Sequence, residues 1–414
     1  MPALPRSAWL ELDLDALAGN LAAIREAVGP GVRVEPVVKA DAYGHGSVPV
    51  ALALERAGAD GVCVATYDEA VELRDGGLRL PILVLYPIPV ELLGDAAARR
   101  IAVTGGDLAA IERLLSELAA HPVPVRSRLE VHVEVETGMG RGGVLPADAP
   151  DAVRRLEASS RVRLGGVWSH LAAPEDPTLS GDQDAIFART LDALGRSRDV
   201  VTIGVRRHLA ASGGILAGTA PAYDAVRPGL SMYGLVPDDV AFAAAAAARA
   251  LRPVMALVAR PVRVIELPAD HGVGYGPAFR TTRPSLLATL PVGYGDGWSR
   301  KLSNNAEALV RGEAVPLVGR VSMDAVVADV TDVGGPRVTV DDEFVLLGTQ
   351  GDRSITAADL ARRRTTNSWE TVTDMSRRMA RVYHRAGVVE GIRTLAGWRA
   401  AWHGSSSGMG TSAT

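Results

Sequence analysis

The sequence predicts an α/β fold, in which an N-terminal (β/α)8 barrel of the TIM type is followed by a C-terminal β-rich domain. Three observations lead to this prediction. Short apolar runs alternate with helix-like segments through the first half of the chain, and parallel strands require such crossovers. After residue 251 the apolar runs are separated by Gly, Pro and Asp instead, which indicates a β-rich domain. A chain of 414 residues also exceeds the size of one ordinary core.

The elements of the barrel can be predicted in order along the chain. A short strand at 9–12 leads to a helix for which Asp13 is the expected N-cap. The predicted barrel strands are short apolar runs, at residues 33–39, 61–66, 81–85, 101–104, 129–137, 164–170, 207–212 and 225–233. The predicted helices between them include residues 48–57, 67–75, 107–120, 149–157 and 183–194. We therefore expect the barrel domain to span residues 9–240.

The second half of the chain predicts a domain of different character. An alanine-rich segment, 241–251, is the expected connecting helix. The predicted strands that follow cover residues 262–267, 286–292, 308–311, 315–330 and 343–347, with a late helix at 356–363. We expect this β-rich domain to span residues 241–395. The tail, 404–414, has too little apolar content to fold and is predicted to be disordered.

The composition excludes several classes of protein. The chain is 47% apolar and 22% charged, and its formal net charge of -4 gives no basic surface for nucleic acid or an anionic membrane. No apolar run reaches membrane-spanning length, and the N-terminus shows no secretory signal. The single cysteine, Cys63, excludes a disulfide framework, and the histidines form no paired metal-ligand motif. These features favour a cytoplasmic enzyme without a metal.

A lysine at the end of the first predicted strand is the strongest functional signal. It lies in the run Val-Lys39-Ala-Asp-Ala-Tyr43-Gly-His-Gly. Burial lowers the pKa of an ammonium group and frees its lone pair, as Schiff-base chemistry requires. The ordinary interpretation of a lone lysine here is a side chain that reaches out to solvent. Tyr43 and the glycine turn favour the functional interpretation.

Further polar residues follow other predicted strands, and in a barrel those strand ends share one rim. Arg141 follows the fifth strand, His170 ends the sixth and Arg227 lies in the eighth. Each alone has an ordinary interpretation, as a surface ion pair, a core histidine or a snorkelling arginine. The Ser212 hydroxyl and the amides near Gly229 suit a phosphate, because glycine permits close backbone approach. Together these residues predict a site on the rim.

The lysine run resembles the pyridoxal-phosphate (PLP) lysine motif of alanine racemases, and the resemblance covers roughly residues 9–390. It implies a PLP cofactor bound by Lys39, Tyr43, Arg141, His170, Ser212, Arg227, Gly229 and Leu230. In that family an arginine that matches Arg227 donates to the pyridine nitrogen. Arginine keeps its proton, so the ring nitrogen stays unprotonated and the ring is a weaker electron sink.

The resemblance also implies a reaction and an assembly. Racemisation needs a base on each face of Cα, and the implied catalytic pair is Lys39 with Tyr275, in Val-Gly-Tyr-Gly. Relatives form a head-to-tail homodimer in which this tyrosine comes from the other subunit. The implied substrate-binding residues are Arg141 and Met323, and those at the entrance are Asp324, Tyr294 and Arg300. The implied activity interconverts L- and D-alanine, which serves D-alanine biosynthesis and peptidoglycan precursor supply.

Two departures from the family pattern leave questions open. Glu134 stands where many relatives have a carbamylated lysine, and we hypothesise that its carboxylate holds Arg141 directly. Arg377 stands where some relatives have an inner-gate tyrosine, so a racemase of broader specificity, for serine, lysine or ornithine, remains an alternative. A decarboxylase would need a protonated pyridine nitrogen, against which Arg227 argues. A barrel-only vitamin B6-binding protein would leave the β-rich domain without a purpose.

Overall fold

The structure, a computed structural model, describes residues 3–121, 128–195, 205–237 and 246–400. Its strands are Ala8–Asp13 (β1), Arg33–Val34 (β2), Val62–Val64 (β3), Ile82–Val84 (β4), Ile101–Gly105 (β5), Leu129–Glu134 (β6), Val162–Trp168 (β7), Arg206–Ala211 (β8), Ala225–Arg227 (β9), Met255–Ala259 (β10), Arg263–Leu267 (β11), Gly272–Val273 (β12), Phe279–Arg280 (β13), Ser285–Leu290 (β14), Ala306–Val310 (β15), Glu313–Val318 (β16), Val326–Asp329 (β17), Phe344–Gln350 (β18), Arg353–Ile355 (β19), Ala380–Arg385 (β20), Val388–Thr394 (β21) and Gly397–Ala400 (β22). Its helices are Leu14–Val28 (α1), Lys39–Tyr43 (α2, a single left-handed turn), Ser47–Arg56 (α3), Tyr67–Asp75 (α4), Leu93–Ala98 (α5), Leu108–Ala120 (α6), Ala149–Ala158 (α7), Pro177–Ala193 (α8), Ser212–Ala217 (α9), Ala246–Ala250 (α10), Ala357–Arg364 (α11) and Ser368–Thr373 (α12).

The first half of the chain forms the predicted parallel barrel. Its eight described strands pair in the order β2-β9-β8-β7-β6-β5-β4-β3, and a parallel bridge between Val37 and Cys63 joins the two ends. Helices alternate with the strands because each parallel pair needs a crossover. As predicted, Asp13 caps α1, its carboxylate accepting hydrogen bonds from the amides of Asp15 and Ala16. The fold class predicted from the sequence is confirmed.

The second half of the chain forms a large sheet in which most neighbouring strands are antiparallel. Over the described residues this sheet has 12 strands, and it also contains β1, which pairs with β10 and runs parallel to β20. The N-terminal strand therefore belongs to the second sheet although it precedes the barrel in sequence. The predicted boundary near residue 240 stays a prediction, because residues 238–245 lie outside the described chain, as does the predicted tail. No helix within the described ranges is long and apolar enough to cross a lipid bilayer.

Several predicted strands are shorter or divided in the structure, and three of them illustrate why. The first predicted strand, 33–39, ends at Val34, because Pro36 has no N–H to donate. The eighth, 225–233, ends at Arg227, before Pro228 and Gly229, and a 3-10 turn follows. The predicted strand 315–330 is two strands, β16 and β17, separated by a loop that carries Met323 and Asp324.

The predicted helices differ mainly at their ends. The helix predicted at 183–194 begins earlier, at Pro177, where Asp176 caps it and proline occupies the first turn. Of the connecting helix predicted at 241–251, only Ala246–Ala250 is described. The Asp-Pro pair at 176–177 is the sequence signal that marks the start of α8.

Candidate active site

One cavity of about 580 Å³ lies at the carboxyl ends of the barrel strands. All eight of the predicted cofactor-binding residues line it, and these are Lys39, Tyr43, Arg141, His170, Ser212, Arg227, Gly229 and Leu230. The fold explains this convergence, since side chains at the carboxyl ends of parallel barrel strands meet at one face.

Lys39 enters the cavity from an unusual piece of backbone. The four residues after it, Ala40 to Tyr43, all have φ between 52° and 56°, which is the left-handed region. Such conformations cost about 1–3 kcal/mol each for a non-glycine residue and persist only where surrounding contacts hold them. One such contact is the carboxylate of Glu69, which accepts a hydrogen bond of 2.6 Å from the amide of Ala40. Burial, with the positive charge of Arg141, lowers the pKa of the half-buried Lys39 amine.

A cup of hydrogen-bond donors lies on the far side of the cavity. The Ser212 hydroxyl accepts hydrogen bonds from the amides of Gly229, at 2.9 Å, and Ser231, at 3.2 Å. A Cβ atom at Gly229 would lie 2.6 Å from the Tyr43 hydroxyl, so only glycine fits without displacement. These amides hold the Ser212 oxygen in place, and its own proton can be donated into the cavity, as can that of the Tyr43 hydroxyl. Ser212, Gly229 and Tyr43 form an anion cup that fits a phosphate group.

Arg227 is buried at the floor of the cavity. Its guanidinium donates to the Ser169 carbonyl at 2.7 Å and contacts Nδ1 of His208 at 2.6 Å, and it lies 4.7 Å from the Trp168 ring centroid. Burial lowers its pKa to about 10, so the group stays charged at neutral pH. His170 Nδ1 lies 3.5 Å from the guanidinium, and burial, together with the charge of Arg227, lowers the pKa of this histidine to about 3.

The hypothesised direct pair between Glu134 and Arg141 is not formed. Among the described residues no hydrogen bond or ion pair joins them, and the Arg141 guanidinium lies 5.8 Å from the Tyr86 ring centroid instead. The glycine-rich turn after Glu134 carries Arg141 to the exposed side of the cavity. Burial raises the pKa of Glu134 to about 7, and the charges of Arg141 and Arg227 only partly offset this.

The remaining predicted residues form a second cluster, apart from Lys39. A surface cavity of about 680 Å³ is lined by Tyr275, Tyr294, Arg300, Met323 and Asp324, together with Arg320 to Ser322. The Tyr275 side chain is 74% exposed. The single chain therefore presents two separate halves, one with the lysine and one with the tyrosine.

Several cavity residues were not predicted. Trp168 lies two residues before the predicted His170, and the others, Tyr86, Trp369 and Thr373, come from segments without a recognisable motif. Arg377 does not line the cavity in the described chain, because its guanidinium lies 3.2 Å from Glu72 and 3.5 Å from Asp41. The one sequence signal for these positions is that Trp168 and Trp369 are aromatic, a residue type common in the walls of binding cavities.

These features define a class of two-domain barrel proteins whose site lies at the carboxyl ends of the barrel strands. They are the barrel, the lysine at its rim, the anion cup and the second sheet. Residues 12–237 match the family model for the alanine racemase N-terminal domain, and residues 254–383 match that for the C-terminal domain. The chain belongs to the alanine racemase family.

Individual relatives agree with this assignment along nearly the whole chain. Alanine racemase 2 of Caldanaerobacter subterraneus is 39% identical over 94% of this chain and 97% of its own length. The crystal structure of alanine racemase from Bacillus anthracis with bound L-Ala-P superposes with a TM-score of 0.83, at 30% identity, over 95% of this chain and 99% of that one. The enzyme from Bartonella henselae, solved with covalently bound pyridoxal phosphate, gives a TM-score of 0.78 at 27% identity, over 92% of this chain and all of that one.

Proposed function

We propose that this protein interconverts L- and D-alanine with PLP as its cofactor, using Lys39 and the Tyr275 of a second subunit as the two bases. The observation that carries the proposal is the division of the predicted residues into two clusters. Every residue expected to bind the cofactor lines one cavity, whereas Tyr275 and Met323 lie exposed on another surface. A head-to-tail homodimer would bring the two halves together.

The cavity fits PLP in its donor set. Lys39 would hold the aldehyde carbon, and Ser212, Gly229, Leu230 and Tyr43 would hold the phosphate. When bound, PLP supplies an electron sink that makes the Cα–H of an attached amino acid acidic. Arg227 stays protonated and can only donate, so beside a bound ring nitrogen it would leave that nitrogen unprotonated and restrain competing reactions.

The two bases act on opposite faces of Cα. Because its pKa is lowered, the Lys39 amine is more readily neutral and can accept or return a proton on its own face. The phenol of the partner subunit's Tyr275 would exchange a proton on the other face. A free phenol has a pKa near 10, so it needs cationic neighbours to act at neutral pH. Arg227 and Arg141 supply positive charge in the cavity.

The substrate carboxylate would lie between Arg141 and the Met323 loop of the partner subunit. Asp324, Tyr294 and Arg300 would line the entrance. A racemase of broader specificity, for serine, lysine or ornithine, is a second candidate. One observation favours it. Arg377 pairs with Glu72 and Asp41, so its side chain does not narrow the described cavity.

The decisive experiment combines a chemical trap with a substrate panel. The purified protein reconstituted with PLP should carry a borohydride-reducible chromophore, and peptide mapping should place the reduced adduct on Lys39. Initial rates of enantiomer interconversion on L-alanine, L-serine and L-lysine separate the two candidates. An adduct on another lysine, or racemisation by a Lys39→Ala enzyme at the normal rate, would overturn the proposal.

A further inference from the structure

Beneath the cavity the barrel interior is polar, which is costly in a core unless every group is paired. Arg227 contacts Nδ1 of His208 at 2.6 Å, and Nε2 of His208 lies 3.1 Å from Nδ1 of His132. Nε2 of His132 lies 3.1 Å from a carboxylate oxygen of Glu130. These contacts form one continuous chain through the barrel, and both histidines are fully buried.

The strand geometry places these residues in register. Glu130 and His132 are two residues apart on β6, and Arg206 and His208 are two residues apart on β8, so each pair shares a face of its strand. The cavity lies at the carboxyl ends of the strands, and Glu130 lies near the start of β6. The chain of contacts therefore runs from the cavity floor toward the opposite end of the barrel.

The groups at the two ends of this series of contacts, Arg227 and Glu130, fix the direction of every hydrogen bond in it. A guanidinium only donates, so Nδ1 of His208 must accept and its proton must be on Nε2. That proton is donated to Nδ1 of His132, so the proton of His132 must be on its Nε2. This Nε2–H group faces Glu130 and donates to it, since a carboxylate only accepts. Arg206 lies 2.9 Å from the same oxygen of Glu130 and 2.9 Å from Nε2 of His132. Its hydrogen goes to the carboxylate, because Nε2 of His132 already carries a proton.

We infer that His208, His132 and Glu130 form a hydrogen-bond relay of fixed direction that positions the Arg227 guanidinium, with Glu130 and His132 setting the tautomer of His208. In the opposite tautomer, an N–H group of His208 would face the N–H groups of Arg227 at 2.6 Å. The relay residues are positioning residues, since none of them lines the cavity.

The charges around the relay support neutral imidazoles. Burial, followed by the positive charge of Arg227, lowers the pKa of His208 well below its usual value, and burial also lowers that of His132. Burial raises the pKa of Glu130, but the hydrogen bond with His132 and the charges of Arg206 and Arg163 outweigh it and hold the value at about 2. The acceptor at the end of the relay therefore stays ionised across the working pH range.

The tautomers can be measured directly. The protein has eight histidines, so ¹⁵N-histidine labelling gives few signals, and His132→Asn and His208→Asn spectra assign the two that matter. We expect both to be neutral with the proton on Nε2 at pH 7. A proton on Nδ1 of His208, or a charged form of either ring, would overturn the relay. This measurement needs neither cofactor nor activity, so its outcome is independent of the proposed function.

The consequence for Arg227 rests on the proposed function and has its own test. His208→Asn places an amide oxygen near the lost Nδ1 acceptor, whereas His208→Leu removes the acceptor. We expect kcat/KM to fall roughly tenfold or more in the leucine variant and to be largely restored in the asparagine variant, mostly through kcat. We also expect the ring-nitrogen ¹⁵N signal of bound, labelled PLP to move only in His208→Leu and Glu130→Gln.

Glu112→Gln is the matched control, because it removes a carboxylate that pairs with Arg155 on the surface, away from the relay. It should leave kcat/KM and the ring-nitrogen signal unchanged. Equal losses in the leucine and asparagine variants, with an unmoved ring-nitrogen signal, would reduce His208 to a packing residue and contradict the inference.

Discussion

At the scale of single residues, burial moves two ionisable groups toward neutrality, one in the cavity and one beside the turn that carries Arg141. The pKa of the Lys39 amine is lowered, and that of the Glu134 carboxyl is raised to about 7. A neutral amine is what a base at Cα requires. A carboxyl that titrates near neutral pH, close to Arg141 without pairing with it, makes the electrostatics of the cavity dependent on pH.

The raised pKa of Glu134 predicts a pH-dependent stability. The folded protein holds this proton more tightly than the unfolded chain, so the contribution is fully present below about pH 4.5 and is lost as pH rises through 7. Relative to the unsubstituted protein, Glu134→Gln should therefore gain roughly 3 kcal/mol of unfolding free energy between pH 4.5 and pH 8. Urea unfolding of both cofactor-free proteins across this range measures the difference. A difference that is constant with pH would contradict the burial argument.

Gly229 predicts an effect of steric origin. An alanine there would bring its Cβ to 2.6 Å from the Tyr43 hydroxyl, inside the anion cup. Overpacking of this kind costs about 1–3 kcal/mol, so Gly229→Ala should bind PLP roughly tenfold or more weakly. Fluorescence titration of the cofactor-free protein with PLP measures the affinity. Gly94→Ala is the control, since an added Cβ there has nothing within 4 Å, and equal affinities of the two variants would argue against the cup.

At the scale of elements, the left-handed turn α2 is held by the second half of the chain. The Asp41 carboxylate within it accepts hydrogen bonds of 2.6 Å and 2.9 Å from Arg393, and the Gly44 carbonyl accepts one from Arg381. The Tyr383 hydroxyl donates to the His45 carbonyl. The segment that carries Lys39 therefore takes its unusual backbone from strands β20 and β21, more than three hundred residues away in sequence.

Arg393→Gln tests this anchoring. It would leave Asp41 largely buried with weaker contacts to Arg381 and Arg377, and loss of one partner of a buried pair costs about 3 kcal/mol or more. We expect hydrogen exchange at residues 39–47 to accelerate in the cofactor-free protein, with a lower unfolding free energy. Arg385→Gln, on the neighbouring strand β20, removes only an ion pair with Glu390 and is the control. Unchanged exchange in Arg393→Gln, as in the control, would show that the turn does not need this arginine.

The limits of sequence interpretation are clearest in the same element. Alternating apolar runs predict the barrel, and the motif around Lys39 identifies the lysine, because both depend on local pattern. The left-handed turn could not be predicted, since four consecutive non-glycine residues do not adopt this conformation by local preference and distant contacts hold it. The membership of β1 in the second sheet depends likewise on pairing across the whole chain. Trp369 reaches the cavity by the same kind of long-range packing.

At the scale of the whole molecule, the second cluster is an exposed surface of unusual character. Tyr275, Tyr294 and Met323 are 74%, 45% and 51% exposed. Exposed apolar groups that lie side by side commonly mark a surface that binds another molecule. The loop beneath them is firmly held, because Arg378 donates to the Asp324 carboxylate at 2.7 Å and pairs with Asp296 at 2.6 Å. An exposed phenol separate from the lysine cavity, beside a loop held by ion pairs, is what a shared active site would require.

The shared site predicts complementation between two inactive variants. In a hybrid of Lys39→Ala and Tyr275→Ala subunits, one of the two sites combines an intact lysine with an intact tyrosine. Equal mixing with free subunit exchange should therefore restore roughly a quarter of the unsubstituted racemase activity, since about half of the dimers are hybrids with one complete site each. Differently tagged subunits allow the hybrid fraction to be measured by tandem purification, and each variant mixed with itself is the control. If verified hybrids stay inactive, both bases must come from one chain, and the exposed surface around Tyr275 would need another explanation.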